Sequence, residues 1–466
     1  MNPLAAAALV LFAAACSAPP GRPAGAAKPA PHAGLEGEVR LITLDPGHFH
    51  ASLVQMTMLP GISPVVHVYA PEGPDLREHL HRIDVFNSRA ADPTRWDERV
   101  YAGPDFLERM LRERRGNVVV IAGNNARKMS YIEAAVAAGL NVLADKPMAV
   151  TPEDYGRLKA AFAAARKNGV LLYDIMTERS EITTILQREI VSMPEVFGTI
   201  EKGTADDPAV IKASVHHFFK IVAGSPLIRP PWFFDTAQQG EGIVDVTTHL
   251  VDLVQWECFP GEAIDGPSDI VLTGARRWTT PVTRDQFRTA TGLADFPDVL
   301  RRSAPDGVLR VSSNGEIDYA LRGIHVRVSV TWNFAPPAAG GDTHFSVIRG
   351  SRANAIIRQE KEQGFRPELY VEPMRGGSLE ELGTELRRAL PFLIRKYPGL
   401  GLAEEAGRWR FVIPEAYRIG HEAHFAEVTG RFLQYLKEGK LPDWEEPGML
   451  AKYYLTTQAL ARAMAK

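Results

Sequence analysis

Residues Asn117–Pro147 read NVVVIAGNNARKMSYIEAAVAAGLNVLADKP. The apolar run Asn117–Ala122 predicts a buried strand, and Tyr131–Ala138 a helix that Gly139 closes. Val142–Ala144 predicts a second strand, which leads into Asp145-Lys146-Pro147. Two strands joined by a crossover helix are the unit of a parallel sheet. The alternation continues in both directions. Upstream, Val39–Leu44 and Val65–Tyr69 read as strands, and Ala51–Leu59 and Asp105–Arg115 as helices. Downstream, Thr151-Pro152-Glu153 sets a capping residue before a proline at the first helical position. That helix runs to Gly169, and Val170–Tyr173 is one more strand. The pattern predicts an α/β domain over 38–175 with an open, doubly wound parallel sheet of Rossmann type.

After about residue 180 the pattern changes. Glu181–Val191 reads as a helix. Phe197–Lys202, Ile270–Thr273, Gly307–Ser312, Glu316–Arg322 and Val326–Trp332 read as strands. Val326–Thr331 alternates apolar with polar, as an antiparallel sheet with one wet face requires. Asp285–Arg302 looks like an insertion, and Glu422–Lys437 and Met449–Ala465 are helical. These segments predict a second, α+β domain over 176–466 with an open, mainly antiparallel sheet.

A chain of 466 residues is too long for one ordinary core. Its formal net charge of −3 gives no basic footprint for nucleic acid. At the N-terminus, Leu4–Ala15 is apolar and small and ends at Ala13-Ala14-Ala15-Cys16-Ser17. Such a run is too short to span a bilayer and reads as an export signal over 1–16. The box before Cys16 resembles that of bacterial lipoproteins, in which this cysteine is lipidated; a plain secretory signal is the alternative. The Pro/Ala/Gly-rich stretch 17–37 suits a tether. The expected location is the periplasm or cell envelope, with membrane contact through the lipid alone. Cys258 is the other cysteine, so no internal disulfide forms after lipidation, and its apolar neighbours predict a buried structural thiol.

Lys146 follows a strand of the parallel sheet and so belongs at its carboxyl edge, where such sheets bind ligands. Pro147 disfavours helical backbone there. A lysine in this place can hydrogen-bond a reacting hydroxyl, or it can stand in an exposed loop paired with Asp145. Residues Gly240–Asp252, GEGIVDVTTHLVD, set Asp245 and His249 at i and i+4, on one face if the segment is helical. An Asp beside a His orients the ring and stabilises its imidazolium, as a general base requires. The same spacing suits a buried structural histidine among Val246, Leu250, Leu253 and Val254.

A dinucleotide loop carries G-x-G-x-x-G after the first strand; here the chain reads Asp45-Pro46-Gly47-His48-Phe49-His50. Only the middle glycine stands, the one that lets backbone approach a pyrophosphate. Gly47 and His48 are therefore the candidates for cofactor contact. No nearby cluster completes a metal site around His48 and His50, and none is assigned. The second strand should end in an acid for the ribose hydroxyls; Ala70 stands there, with Glu72 or Asp75 as the substitute. The pairs His79/His81 and His216/His217 read as surface or structural. In Arg229-Pro-Pro-Trp232-Phe-Phe234, Trp232 is the candidate for stacking on a pyranose ring, and Phe233 and Phe234 suit a core equally well.

In this order and spacing the residues resemble the Gfo/Idh/MocA oxidoreductases. Asp145-Lys146-Pro147 matches their Glu-Lys-Pro motif with Asp for Glu, and Asp245 with His249 matches their Asp-x-x-x-His helix. Gly123-Asn124-Asn125 falls on their cofactor loop, where Asn125 agrees, and Arg179 lies near a family arginine. The resemblance implies NAD or NADP as cofactor and hydride transfer to or from a sugar, glycoside or cyclitol hydroxyl. It places Lys146 at the substrate hydroxyl and nicotinamide, makes His249 the base with Asp245 beside it, and sets Arg179 in the substrate site. It also implies a homodimer or higher oligomer. Two alternatives remain open: a glycosidase that transiently oxidises its bound sugar with retained NAD, and a sugar-binding lipoprotein that kept the fold without redox chemistry.

Overall fold

Short runs of β-branched residues, Val118-Val119-Val120-Ile121 above all, are buried on both faces and form the first sheet. The computed structural model describes residues 39–222, 225–337 and 340–465. The expected export signal, Cys16 and the tether at 17–37 lie outside these residues. The strands are β1 (Leu41–Leu44), β2 (Val65–Ala70), β3 (Asp97–Ala102), β4 (Val118–Ile121), β5 (Asn141–Asp145) and β6 (Leu172–Ile175). They lie in the order β3-β2-β1-β4-β5-β6, and every pair is parallel. The order reverses between β1 and β4, the switch point at which such sheets hold ligands.

The helices between them are α1 (His50–Leu53), α2 (Pro74–Ser88), α3 (Phe106–Glu113), α4 (Asn125–Ala137) and α5 (Pro152–Asn168). α5 matches its sequence signals: Thr151 Oγ1 accepts from the Asp154 amide at 3.1 Å, and Gly169 ends the helix at φ 66°. α1 does not match, being one turn where Ala51–Leu59 was expected. The Gln55 and Met56 carbonyls that would continue it accept instead from the Trp96 indole, at 2.6 Å, and the Arg89 guanidinium, at 2.7 Å. α2 and β3 had no sequence signal, because β3 is an exposed edge strand without apolar alternation.

The second sheet has nine strands, in the order Ile270–Thr283, Val308–Leu321, Ile324–Asn333, Val210–His217, Thr343–Arg349, Ala353–Gln359, Glu368–Pro373, Arg408–Val412, Gly401–Glu405. It is antiparallel except where Ile324–Asn333 runs parallel to Val210–His217. The two segments expected around Gly307 and Glu316 form one strand of 14 residues. Phe197–Lys202 is not a strand and meets the sheet at a single bridge, Ile200 to Gly350, between positive-φ glycines 198 and 203. The expected insertion folds as two short helices, and Phe287, Leu300 and, from the connection between them, Phe296 pack with Phe233 and Phe234 in a separate small core. Cys258 is a buried free thiol whose pKa burial pushes up to about 12.

The C-terminal helices return to the first sheet. His421–Glu438 puts Phe425, Val428 and Phe432 into its core, with Phe432 stacked 5.9 Å from Tyr173. Glu445–Met464 serves both cores, with Tyr453 in the first and Leu455 in the second. A buried ionic network fastens these layers. Arg179, just after β6, meets Asp252 at 2.6 Å and Glu445 at 3.0 Å, and Lys452 meets Asp252 at 2.8 Å and Asp174 at 2.7 Å.

Candidate active site

The loops after β1, β4, β5 and β6 converge at the carboxyl edge of the first sheet, and the helix Thr247–Cys258 closes over them. Lys146 comes off β5 and is 7% exposed, so it is not the loop lysine that one reading allowed. Its Nζ donates to Asp245 Oδ1 at 2.7 Å, and Gln239 Nε2 donates to the other oxygen at 3.0 Å. The ammonium draws the buried Asp245 carboxyl below its usual range against the cost of burial. Beneath them Lys128, fully buried, donates to the backbone carbonyls of Asp145, at 2.7 Å, and Pro147, at 3.0 Å, which fixes the strand end that carries Lys146.

The expected Asp245–His249 pair is not made. The helix begins at Thr247, so Asp245 lies in the preceding turn and the i,i+4 geometry does not apply. Asp245 turns to Lys146, and His249 Nδ1 is buried with no hydrogen-bond partner among the described residues. Burial, and then the nearby Lys146 charge, push the His249 pKa down to about 3, so the ring is neutral.

Asp145 joins the site through a contact that sequence reading missed. Its Oδ2 lies 3.0 Å from His48 Nδ1, and its Oδ1 lies 3.0 Å from His50 Nδ1. The three residues come from the ends of β1 and β5, nearly a hundred positions apart, which is why nothing local in the sequence completed the histidine pair. His421, at the start of the C-terminal helix, stands with its ring 5.7 Å from that of His50, and Glu178 approaches His421 at 3.9 Å. No motif flagged either residue.

Four expected contacts fall elsewhere. Arg179 is 4% exposed and its guanidinium is spent on Asp252 and Glu445, so it holds the fold rather than a substrate. Asn125 Nδ2 donates to the Gln239 carbonyl at 2.7 Å, tying the loop after β4 to the second half of the chain. Glu72 is exposed and makes no side-chain hydrogen bond among the described residues, whereas Asp75 accepts from the Trp232 indole at 2.8 Å. Trp232 thereby lies against Gly47, where a Cβ would stand 3.0 Å from its ring and 2.9 Å from Asp75 Oδ2.

A six-stranded parallel sheet in this order, with a buried lysine at its carboxyl edge, defines an oxidoreductase of the dinucleotide-binding Rossmann class. A family model described as "Oxidoreductase family, NAD-binding Rossmann fold" matches residues 62–174, and "Putative oxidoreductase C terminal domain" matches 186–464. The chain belongs to the Gfo/Idh/MocA oxidoreductase family. A crystal structure described as a "putative oxidoreductase" from Parabacteroides merdae is 53% identical, covers 93% of this chain and 98% of its own, and has a TM-score of 0.90. At 13% identity the fold is shared with an oxidoreductase structure from Thermotoga maritima (91% of this chain, 98% of its own, TM-score 0.57). It is shared as well with KijD10, a 3-ketoreductase from Actinomadura kijaniata in complex with NADP and TDP-benzene (91% and 98%, TM-score 0.56). No curated protein matches the chain.

The family's dinucleotide platform can be tested against the loop after β1. Gly47 supplies the bare backbone that a pyrophosphate needs. In this structure, however, the Gly47 and His48 amides both donate to the Ala122 carbonyl, at 3.3 and 3.1 Å, and Trp232 and Asp75 lie across the glycine. The cleft beside it is lined by His48, Asp75, Arg82 and Arg229. A pyrophosphate on Gly47 therefore requires Trp232 and Asp75 to move aside.

Proposed function

We propose that this chain is an exported NAD(P)-dependent oxidoreductase that transfers hydride between a carbohydrate CH–OH group and a nicotinamide. The observation that supports this most is the buried Lys146 ammonium, held at the sheet edge by Asp245 with the free His249 nitrogen close by. The bound nicotinamide supplies the hydride acceptor or donor. Lys146, a fixed cation in a water-poor corner, stabilises negative charge growing on the substrate oxygen. Asp245 and Gln239 hold that cation in place. His249, a neutral imidazole near neutral pH, accepts the hydroxyl hydrogen at its unprotonated ring nitrogen; as a weak base it takes the proton only in concert with loss of the carbinol hydrogen.

The sugar-class substrate is supported by the family resemblance, and a 3-ketoreductase shares the fold. Export, and an envelope location on a lipid anchor, are supported by the apolar run Leu4–Ala15 ending at Cys16, the pattern of a lipoprotein signal. The homodimer rests on the family resemblance alone. A second reading, a sugar-binding protein without redox turnover, is favoured by the closure of the Gly47 loop under Trp232. Mass spectrometry of denatured protein from the envelope separates the two. The redox reading expects stoichiometric NAD(H) or NADP(H), or a thermal shift with added nucleotide. Neither appearing would leave the second reading.

A further inference from the structure

The Asp145 carboxylate is buried without a cation at hydrogen-bond distance among the described residues. Its side chain is 3% exposed. Lys146, beside it in sequence, is spent on Asp245, and Lys128 reaches only the backbone carbonyls of Asp145 and Pro147. Both carboxylate oxygens meet imidazoles instead, His48 at 3.0 Å and His50 at 3.0 and 3.1 Å. A buried charge is costly unless it is paired or coordinates a metal.

We propose that His48, His50 and Asp145 form a binding site for a divalent first-row transition-metal ion at the carboxyl edge of β1 and β5. One ligand atom from each residue lies within 4.8 Å of the other two. Bonds of about 2.1 Å meeting at right angles set neighbouring ligand atoms about 3.0 Å apart, and Asp145 Oδ2 stands 3.0 Å from His48 Nδ1 and 3.1 Å from His50 Nδ1. Two imidazoles and one carboxylate, without a thiolate, suit Zn²⁺, Fe²⁺, Co²⁺ or Mn²⁺ rather than copper(I), and carry more nitrogen than calcium or magnesium sites do. Burial favours the neutral imidazoles that metal ligation needs. Three protein ligands leave positions open for a substrate oxygen or water.

A second observation points into the same corner. The unpartnered His249 Nδ1 is buried near Lys146 and Asp145. An ion here would acidify a bound hydroxyl or polarise a carbonyl, and that is the help a base as weak as His249 lacks. The site does not depend on the redox reading, because an ion can bind whether or not a nicotinamide nucleotide does. The competing arrangement is a plain hydrogen-bonded triad, with both imidazoles donating Nδ1–H to Asp145 and no ion.

The test uses the full chain without a histidine tag, stripped with a chelator and titrated with Co²⁺ and Zn²⁺. It follows Co²⁺ d–d absorption, metal content after dialysis and the thermal midpoint. The proposal expects one ion per chain and a midpoint raised by Zn²⁺. Affinity should fall by at least about tenfold in Asp145→Asn and in His48→Ala, and should be unchanged in a variant of the exposed His81, His81→Ala. Circular dichroism of each protein identifies any variant that fails to fold. Asp145→Asn keeps the planar shape of the carboxylate, so one of the two ligand variants should remain readable. A folded wild type that binds neither ion overturns the proposal, as does a folded Asp145→Asn that binds as tightly as wild type. Loss of nucleotide binding alone would leave it standing.

Discussion

At the residue scale, the Lys146–Asp245 pair and the isolated His249 make opposite predictions. Asp245→Asn removes the charge that holds a buried ammonium, and breaking one side of a buried pair costs about 3–5 kcal/mol. His249→Asn removes a ring whose Nδ1 bonds nothing, so it loses packing alone, about 1–2 kcal/mol. Denaturant unfolding should separate the two variants by about 2 kcal/mol; equal losses would count against the pairing. The sequence made Lys146, Asp245 and His249 legible as one constellation, since each sits in a motif. It did not reveal who pairs with whom. The i,i+4 argument assumed a helix through Asp245, and a start at Thr247 frees that carboxylate to reach a lysine 99 positions away. Asp145 was legible only as a variant of the family glutamate, because its imidazole partners arrive from another strand end.

At the scale of elements, the helix Thr247–Cys258 is aimed at the site by Asp252, one turn beyond His249. Arg179 from the end of β6 and Lys452 from the C-terminal helix both grip Asp252. This changes what an Arg179 variant should do. Were Arg179 a substrate ligand, Arg179→Met would raise KM and leave folding alone. The observed network instead predicts a loss of about 3–5 kcal/mol, because Asp252 and Glu445 keep buried charge with one partner fewer. A thermal midpoint within a degree or two of wild type, with KM raised, would restore the substrate role. The parallel sheet was legible from its continuous apolar strands, and α5 from its cap and closing glycine. The one-turn α1 was not. Its helical pattern is overruled by the Trp96 and Arg89 side chains, which take the carbonyls the next turn would need. The edge strand β3 gave no signal because neither of its faces is buried to impose alternation.

At the scale of the molecule, buried neutral histidines make stability depend on pH. His79 is 4% and His424 2% exposed, neither ring nitrogen of either has a hydrogen-bond partner among the described residues, and burial pushes their pKa values down to about 3 and about 4. An unfolded chain protonates these rings below pH 6.5 and the folded one does not, so stability falls as pH drops from about 6.5 towards those values. Glu98 and Glu178, pushed up to about 7 by burial, act in the opposite sense: they hold protons more tightly in the fold and are relieved as pH falls below 7. A bulk acid titration mixes the two groups, so the measurement must isolate one side chain. His79→Leu does so without touching Lys146, Asp245 or His249, replacing an unpartnered polar ring with an apolar side chain. At pH 7.5 the imidazole is neutral in both states, and the two proteins differ only by packing and desolvation. At pH 5 the wild type alone carries the cost of keeping the ring deprotonated, about 2 kcal/mol at 1.36 kcal/mol per pH unit. The variant's stability relative to wild type should therefore grow by about that amount between the two pH values in urea unfolding. A difference that does not change with pH would mean that the folded state protonates His79, and that it reaches water or a carboxylate in solution.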